Sequence, residues 1–305
     1  MPGPRSFEPF PTAAGIDRSA DERRTEGLVE TLRSDAGTRV LVLQGDAAPL
    51  RDEGGLHLVS ADEVPGGAEW AFLGRDARRA GVLAAVFPSV PEQTPPITAP
   101  AGWGALRAVG GDLDATDSGL FVEALSLGRW LLDAAFCPFC GTRTELRNGG
   151  WSRKCPHCGR EHFPRTDPAV IVAVGGSQHP DRLLLGANAM WGGERFSCFA
   201  GFAEAGESLE STVAREVSEE AGVDLVDVRY RGSQAWPYPR SLMLGFHATA
   251  ADEDAARPDG EEIVAVRWFT RDEIGAGLAG EGGVLLPGPA SIARRLIADW
   301  HTAAG

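Results

Sequence analysis

Hydrophobic residues along this chain fall into two patterns. Short unbroken apolar runs have the length and β-branched content of buried strands: "RVLVLQG" (39–45), "PAVIVAVGG" (168–176), "DRLLLGAN" (181–188), "LMLGFHATA" (242–250) and "EIVAVRWFT" (262–270). "HLVSADEV" (57–64) reads the same way, and "SQHP" joins the second and third runs as a strand pair. Helical spacing marks "VEALSLGRWLLDAAF" (122–136) and a late helix, "SIARRLIADW" (291–300). Strands alternating with helices over 166–305 predict one α/β domain. Residues 1–130 predict a separate mixed α/β accessory domain in which no chemical motif is visible, and residues 131–165 lie between the two.

The bulk numbers narrow the class. The chain has 305 residues, enough for two or three cores, and its 43% hydrophobic and 24% charged content is that of a globular protein. No apolar run is long enough to cross a bilayer, and "MPGPRSFEPFPTAAGIDRSADERRTEG" lacks the apolar centre of a secretory signal, so the cytoplasm is the expected location. A formal net charge of −14 argues against a general binder of nucleic acid or membrane surfaces. Residues 137–165 break that balance: Arg143, Arg147, Arg153, Lys154, Arg160 and Arg165 face only Glu145 and Glu161.

Four cysteines fall in the same segment. "CPFC" supplies Cys137 and Cys140, and "CPHC" supplies Cys155 and Cys158, a spacing that suits two knuckles closing a tetrahedral zinc site. The glycine after each knuckle allows the tight turn that aims backbone N–H groups at sulfur. A disulfide framework is the competing reading, and His157 is an alternative ligand, but four thiolates already fill the shell. One structural Zn2+ per chain is expected. The fifth cysteine, Cys198, reads as a small buried residue in a strand.

The acidic chemistry lies further on, in "GFAEAGESLESTVAREVSEEAGV" (201–223). Ser208 is the expected N-cap and Gly222 the residue that stops the helix. At 100° per residue, Glu216, Glu219 and Glu220 share an arc of about 100°. Leu209, Val213, Val217 and Ala221 form an adjoining apolar stripe that should anchor the helix on the sheet. Like charges gathered at the edge of a core repel unless a cation joins them, and carboxylate oxygens favour Mg2+ or Mn2+. A merely solvated acidic face is the bland alternative, and it would not need Gly201, Glu207 and Arg215 at fixed offsets.

Those positions, G-x5-E-x7-R-E-U-x-E-E-x-G-U with U a bulky aliphatic, resemble the Nudix hydrolase signature throughout. "SQAWPYPRS" (233–241), following at a short offset, is similar to the SQPWPFPxS array of the NADH pyrophosphatase family, also described as NAD-capped RNA hydrolases. The cysteine segment and "HFPRTDPAVIV" resemble the same family, with residues 1–130 alike only in general layout. The resemblance implies an α/β/α Nudix sandwich with a mixed sheet, preceded by a zinc ribbon and the N-terminal α/β domain. It implies cleavage of the pyrophosphate of NADH or NAD+ to nicotinamide mononucleotide and AMP, and removal of NAD caps from RNA 5′ ends. Glu216 and Glu220 would be the principal metal ligands, Glu219 a ligand or base, and Arg215 the residue that orients Glu207. Glu262, rather than Glu261, and the Ala200 carbonyl would complete the metal shell. Phe202 and Phe163 would sandwich the nicotinamide, with Phe163 supplied by the other subunit of a homodimer. Trp236, Tyr238, Gln234, Ser241 and the Ala293 backbone would also contact substrate, and the basic ribbon would help to hold an RNA chain.

Two positions depart from the family pattern. Ala235 replaces the first proline of the array, and Gly150 stands where relatives are expected to carry an acidic contact. A reading from another class is a ligand-sensing, nucleic-acid-binding regulator built on a Nudix-like domain without turnover. The complete glutamate set and the acidic chain weigh against it.

Overall fold

The computed structural model describes residues 15–89, 94–192 and 194–303, so the first part of the polar N-terminal stretch lies outside the described residues. They form two compact units, one of residues 15–166 with 236–240, the other of 167–235 with 241–303.

In the first unit, α1 (Leu28–Arg33) precedes the strands β1 (Arg39–Gln44), β2 (Ala47–Pro49), β3 (Glu69–Arg75), β4 (Gly81–Phe87) and β5 (Trp103–Ala105). The sheet order is β3-β4-β1-β2-β5, with β1 parallel to β4. The run "RVLVLQ" is central because Val40 to Leu43 are buried on both faces. The short α2 (Leu106–Val109) follows, then α3 (Ala115–Asp133), which begins where the Asp114 carboxylate accepts the Asp117 N–H. Leu120, Phe121, Ala124, Leu125 and Leu131 of α3 pack with Leu41, Leu43, Leu73 and Ala84, while Leu28 and Leu32 of α1 pack with Val40, Val42 and Leu83.

Two strand and helix expectations in this unit are corrected. Residues 57–64 are not a strand: Val59 makes only an isolated bridge to Val40, and a reciprocal Ser60–Glu63 capping box winds Ala61–Glu63 into a 3₁₀ turn. Helix α3 begins seven residues before the expected 122, because its cap is an aspartate outside the apolar stripe, and it ends at Asp133 rather than at 136.

The cysteine segment adds β6 (Glu145–Arg147), β7 (Ser152–Lys154) and β8 (Glu161–His162), a three-stranded antiparallel sheet. It brings the four Sγ atoms within 4.8 Å of one another. The Cys137–Cys158 and Cys140–Cys155 separations are 3.7 and 3.5 Å, and all four are free thiols. A tetrahedron with Zn–S bonds of about 2.3 Å has edges of about 3.8 Å, so the sulfurs are placed for zinc and too far apart for a disulfide. The exposed His157 is not among them, and the His162 imidazole instead approaches the Cys137 sulfur at 3.3 Å.

The second unit is built on β9 (Asp167–Gly175), β10 (Arg182–Asn188), β11 (Phe199–Phe202), β12 (Leu225–Trp236), β13 (Ser241–Ala250) and β14 (Ile263–Thr270). Its main order is β12-β13-β9-β10-β14, with β11 antiparallel to β9 and β13 parallel to it. The sheet is therefore mixed. Alternation along β9 sets two cores: Val170, Val172 and Val174 face α4 (Leu209–Ala221), while Ile171 and Ala173 face α6 (Ile292–Thr302). Helix α5 (Arg271–Ala279) adds Ile274 to the second core. No described helix is long and apolar enough to cross a membrane.

Cys155→Ala removes one corner of the thiolate tetrahedron and should abolish stoichiometric zinc. Metal analysis of the purified variant checks this, and one zinc per chain retained would contradict the assignment.

Candidate functional site

Helix α4 carries the acidic motif, and local chemistry fixes both its ends. The Ser208 side chain accepts the Ser211 N–H, and Gly222 takes the left-handed conformation (φ 67°) that ends the helix. Val213, Val217 and Ala221 are fully buried against β9 and its neighbours, with Leu209 partly so, as the stripe predicts. Each buried valine contributes roughly 1.5–3 kcal/mol, whereas an i,i+4 pair of like charges costs about 0.2–0.5 kcal/mol. Packing therefore wins, and the helix presents Glu216 and Glu220 towards β11 despite their repulsion.

Arg215 ties the motif together. Its Nε and Nη2 donate to the two Glu207 oxygens at 2.7 and 3.0 Å. Nη1 donates to Glu216 and Glu219 at 2.9 and 3.0 Å, and Nη2 also reaches the Phe202 carbonyl at 3.0 Å. Glu207 further accepts from the Glu204 N–H and the Thr212 hydroxyl. The Arg215 fork, helped by that N–H, draws the Glu207 carboxyl down to about 2. Glu207 is thus a fixed anion that clamps the loop before α4.

Glu220 is the opposite case. It is 5% exposed, and its Oε2 has no hydrogen-bond partner. Burial, then the charges of Glu262 and Glu216, push its carboxyl up to about 8. Burial likewise raises Glu216. Arg215 pairs with Glu207, Glu216 and Glu219 only, so the mutual repulsion of Glu216, Glu220 and Glu262 is not cancelled by it. The unpartnered oxygen, the like-charged neighbours and the hard donor set fit a divalent cation held by Glu216, Glu220 and Glu262.

The surrounding cleft, about 520 Å³, is lined by Ala200, Gly201, Phe202, Arg215, Glu216, Ser241 and Glu262, together with Ala169, Glu204 and Met243. Gly201 is obligatory: a Cβ there would lie 1.9 Å from the Glu216 carboxyl carbon. Of the expected acidic residues, Glu216 and Glu262 line the cleft, while Glu207, Glu219, Glu220 and Glu261 do not. Asp259 escaped sequence reasoning, although "PDGEE" carries an Asx-turn signal. Its carboxylate accepts the N–H groups of Glu261, Glu262 and Ile263, which sets the loop that delivers Glu262. The Asn188 amide also reaches Glu262, at 3.3 Å.

Other expected positions behave differently. The Gln234 carboxamide is used within the fold, donating one N–H to the Ala290 carbonyl and accepting the Ile292 N–H at the start of α6. The Ala293 N–H is occupied by the Ser291 hydroxyl. Trp236 and Tyr238 belong to the first unit, where Tyr238 lies under Arg107 (3.8 Å) and near Arg129 (5.0 Å) and accepts the Arg107 N–H. Phe163 and Phe202 are exposed rings. Gly150 is buried at φ +91°, and a Cβ there would meet Ala71 at 2.7 Å, so packing excludes an acidic side chain. Ala235 continues β12 as far as Trp236. Cys198 is buried one residue before β11, and burial pushes its thiol up to about 12, which makes it inert.

Two outcomes follow from this geometry. Gly201→Ala drives only the flexible end of Glu216 aside, so the fold should persist while Mn2+ affinity by calorimetry falls about 10–100-fold; unchanged affinity would free Glu216 from the site. Glu220 ionises more easily unfolded than folded, so the metal-free protein should lose stability as pH rises from 4.5 through about 8. Glu220→Gln should remove that loss, and metal-free melts of the two proteins should diverge across this window. Parallel curves would contradict the burial account.

Comparison with known proteins agrees with this geometry. Residues 165–286 match the NUDIX domain, and residues 133–163 match the NADH pyrophosphatase zinc ribbon domain. NAD-capped RNA hydrolase NudC of Mycobacterium tuberculosis (strain ATCC 25618 / H37Rv) is 42% identical over 308 residues, spanning 96% of this chain and 94% of its own. The protein of the same name from Stutzerimonas stutzeri (strain A1501) is 41% identical over 197 residues, spanning 65% of this chain and 67% of its own. With likeness at that level over nearly its whole length, and with the zinc ribbon and Nudix helix both in place, the chain belongs to the NAD-capped RNA hydrolase family of Nudix enzymes.

Proposed function

We propose that the chain hydrolyses the pyrophosphate of NADH and NAD+, giving nicotinamide mononucleotide and AMP, and that of NAD caps, leaving RNA with a 5′-monophosphate. The observation that carries the reading is the buried, unpartnered Glu220 oxygen, which feels the charges of Glu262 and Glu216, two carboxylates that line a cleft open to a divalent cation. Family membership supplies the substrate class. Residues 131–165 act as the structural zinc ribbon, 166–305 as the catalytic domain and 1–130 as the accessory domain.

Glu216, Glu220, Glu262 and the Ala200 carbonyl would hold Mg2+ or Mn2+. When bound, such ions neutralise pyrophosphate oxygens and acidify a water for attack on phosphorus. Arg215 keeps Glu207 and Glu216 in position through the forked contacts above. Glu219, the most exposed of the helix carboxylates in the set and paired with Arg215 at 3.0 Å, would serve as a further ligand or as the base. Phe202 offers an open ring at the cleft for the nicotinamide, with Phe163 of a second copy as its counterpart in a homodimer. Ser241 lines the same cleft. Gln234 and the Ala293 backbone support the substrate through the loop before α6, and Trp236 and Tyr238 through the array they stiffen. The enzyme works in the cytoplasm.

Product analysis by mass after incubation with NADH, NAD+ and NAD-capped RNA tests the reading; no cleavage in Mg2+ or Mn2+ would end it and favour a binding-only regulator. Glu220→Gln should lower turnover by about two or more orders of magnitude with the fold retained. Phe202→Ala should impair nicotinamide substrates more than diadenosine diphosphate, and equal losses on both would remove the stacking role.

A further inference from the structure

Packing does not hold the Glu262 carboxylate at the cleft. Glu262 is exposed, just before β14, and its charge bears on the buried Glu220. Repulsion therefore favours swinging its side chain out to solvent. Two contacts fix only the backbone of Glu262. The Asp259 carboxylate accepts its N–H at 2.8 Å, and its carbonyl accepts the Ala189 N–H at 2.9 Å. The carboxylate itself meets one hydrogen-bond donor among the described residues: the Asn188 Nδ2, which donates to Oε1 at 3.3 Å.

Local structure aims Asn188 at that contact. Asn188 ends β10 opposite Ile263, whereas Ala187 stands opposite Ala265, so β14 fits one extra residue, Val264, against β10. A bulge of this kind bends the pairing and re-aims the side chains beside it. The Asn188 Oδ1 accepts the Met190 N–H at 3.0 Å and so caps the 3₁₀ turn Ala189–Trp191. That bond also fixes which way the carboxamide faces. With its oxygen committed to Met190, its NH2 group is the end left for Glu262.

We propose that Asn188 is a positioning residue that holds the Glu262 carboxylate toward the cleft, with one oxygen on the amide and the other left for the divalent cation. The inference deepens the pyrophosphohydrolase reading and rests on the metal site of that reading. A neutral donor suits the task. Glu216 is oriented by a charged one, Arg215, whose guanidinium is shared with Glu207 and Glu219. A second guanidinium at Glu262 would compete with the cation for the carboxylate, whereas an amide orients it and leaves its charge whole.

The choice of variant follows from the cap. The 3₁₀ turn is little packed, with Met190 90% exposed, so Asn188→Ala would free the turn as well as Glu262. Asn188→Ser keeps an N-cap oxygen for Met190 and is too short to reach Glu262. The test titrates Mn2+ by calorimetry into the full-length, zinc-loaded protein. Asn188→Ser should weaken Mn2+ binding about tenfold or more and leave the melt without Mn2+ unchanged. In a Glu262→Gln background the same substitution should add less than about twofold, because no carboxylate remains for the amide to orient. Crystals of Asn188→Ser grown without Mn2+ should show Glu262 turned out of the cleft and the turn 189–191 in place. Should the serine variant fold poorly, Asn188→Thr, another capping residue too short to reach, carries the same test. Wild-type Mn2+ affinity in the variant would overturn the proposal. So would a loss equally large with and without the Glu262 carboxylate, or Glu262 unmoved in the variant crystals. Each of these leaves the metal reading standing if the wild-type protein takes up Mn2+. A wild-type protein that takes up none would overturn that reading, and this inference with it.

Discussion

The repulsion of buried carboxylates is the constraint around which the catalytic unit is organised. Glu220 is kept out of water beside Glu216 and Glu262, with one oxygen facing no donor. Left alone, such an arrangement destabilises the protein unless a proton or a cation relieves it. The fold tolerates this because α4 is anchored by the fully buried Val213, Val217 and Ala221 on its other side. Metal affinity and helix packing are thus two sides of one construction, in which apolar burial holds carboxyls where a proton or a cation must satisfy them.

The same principle explains why neighbouring residues are so tightly specified. Gly201 is small because the Glu216 carboxylate occupies the space a side chain would need. Arg215 is shared among Glu207, Glu216 and Glu219, which fixes their directions without cancelling their charge. Glu207 has become structural, drawn down to about 2 and clamping the preceding loop. Asp259 shapes the turn that brings Glu262 into the cleft from the far end of the sheet. The ribbon solves a separate problem in a similar way: three short strands gather four sulfurs that zinc can join, on a segment with little core of its own.

What was legible in the sequence was what local chemistry determines. Ser208 and Gly222 bracket α4, the valine stripe gives its buried face, and the cysteine knuckles sit at the spacing that places their sulfurs together. Errors arose where a side chain overrides periodicity. Ser60 and Glu63 turn an apolar-looking run into a 3₁₀ turn, and Asp114 starts α3 ahead of its apolar stripe. Long-range partners were out of reach. Nothing near Gln234 announces that its amide is bound to Ala290 and Ile292, and nothing near Tyr238 announces Arg107 above its ring. The packing that makes Gly150 necessary comes from Ala71 and Trp70, some eighty residues away in the sequence.

The most direct measurement is anomalous diffraction from crystals grown with Mn2+, collected so that manganese stands out from other atoms. The account predicts a peak at bonding distance from the carboxylates of Glu216 and Glu220 and the carbonyl of Ala200, with Glu262 turned towards it. A map with no peak in the cleft at saturating Mn2+, and with Glu220 still facing no partner, would contradict it.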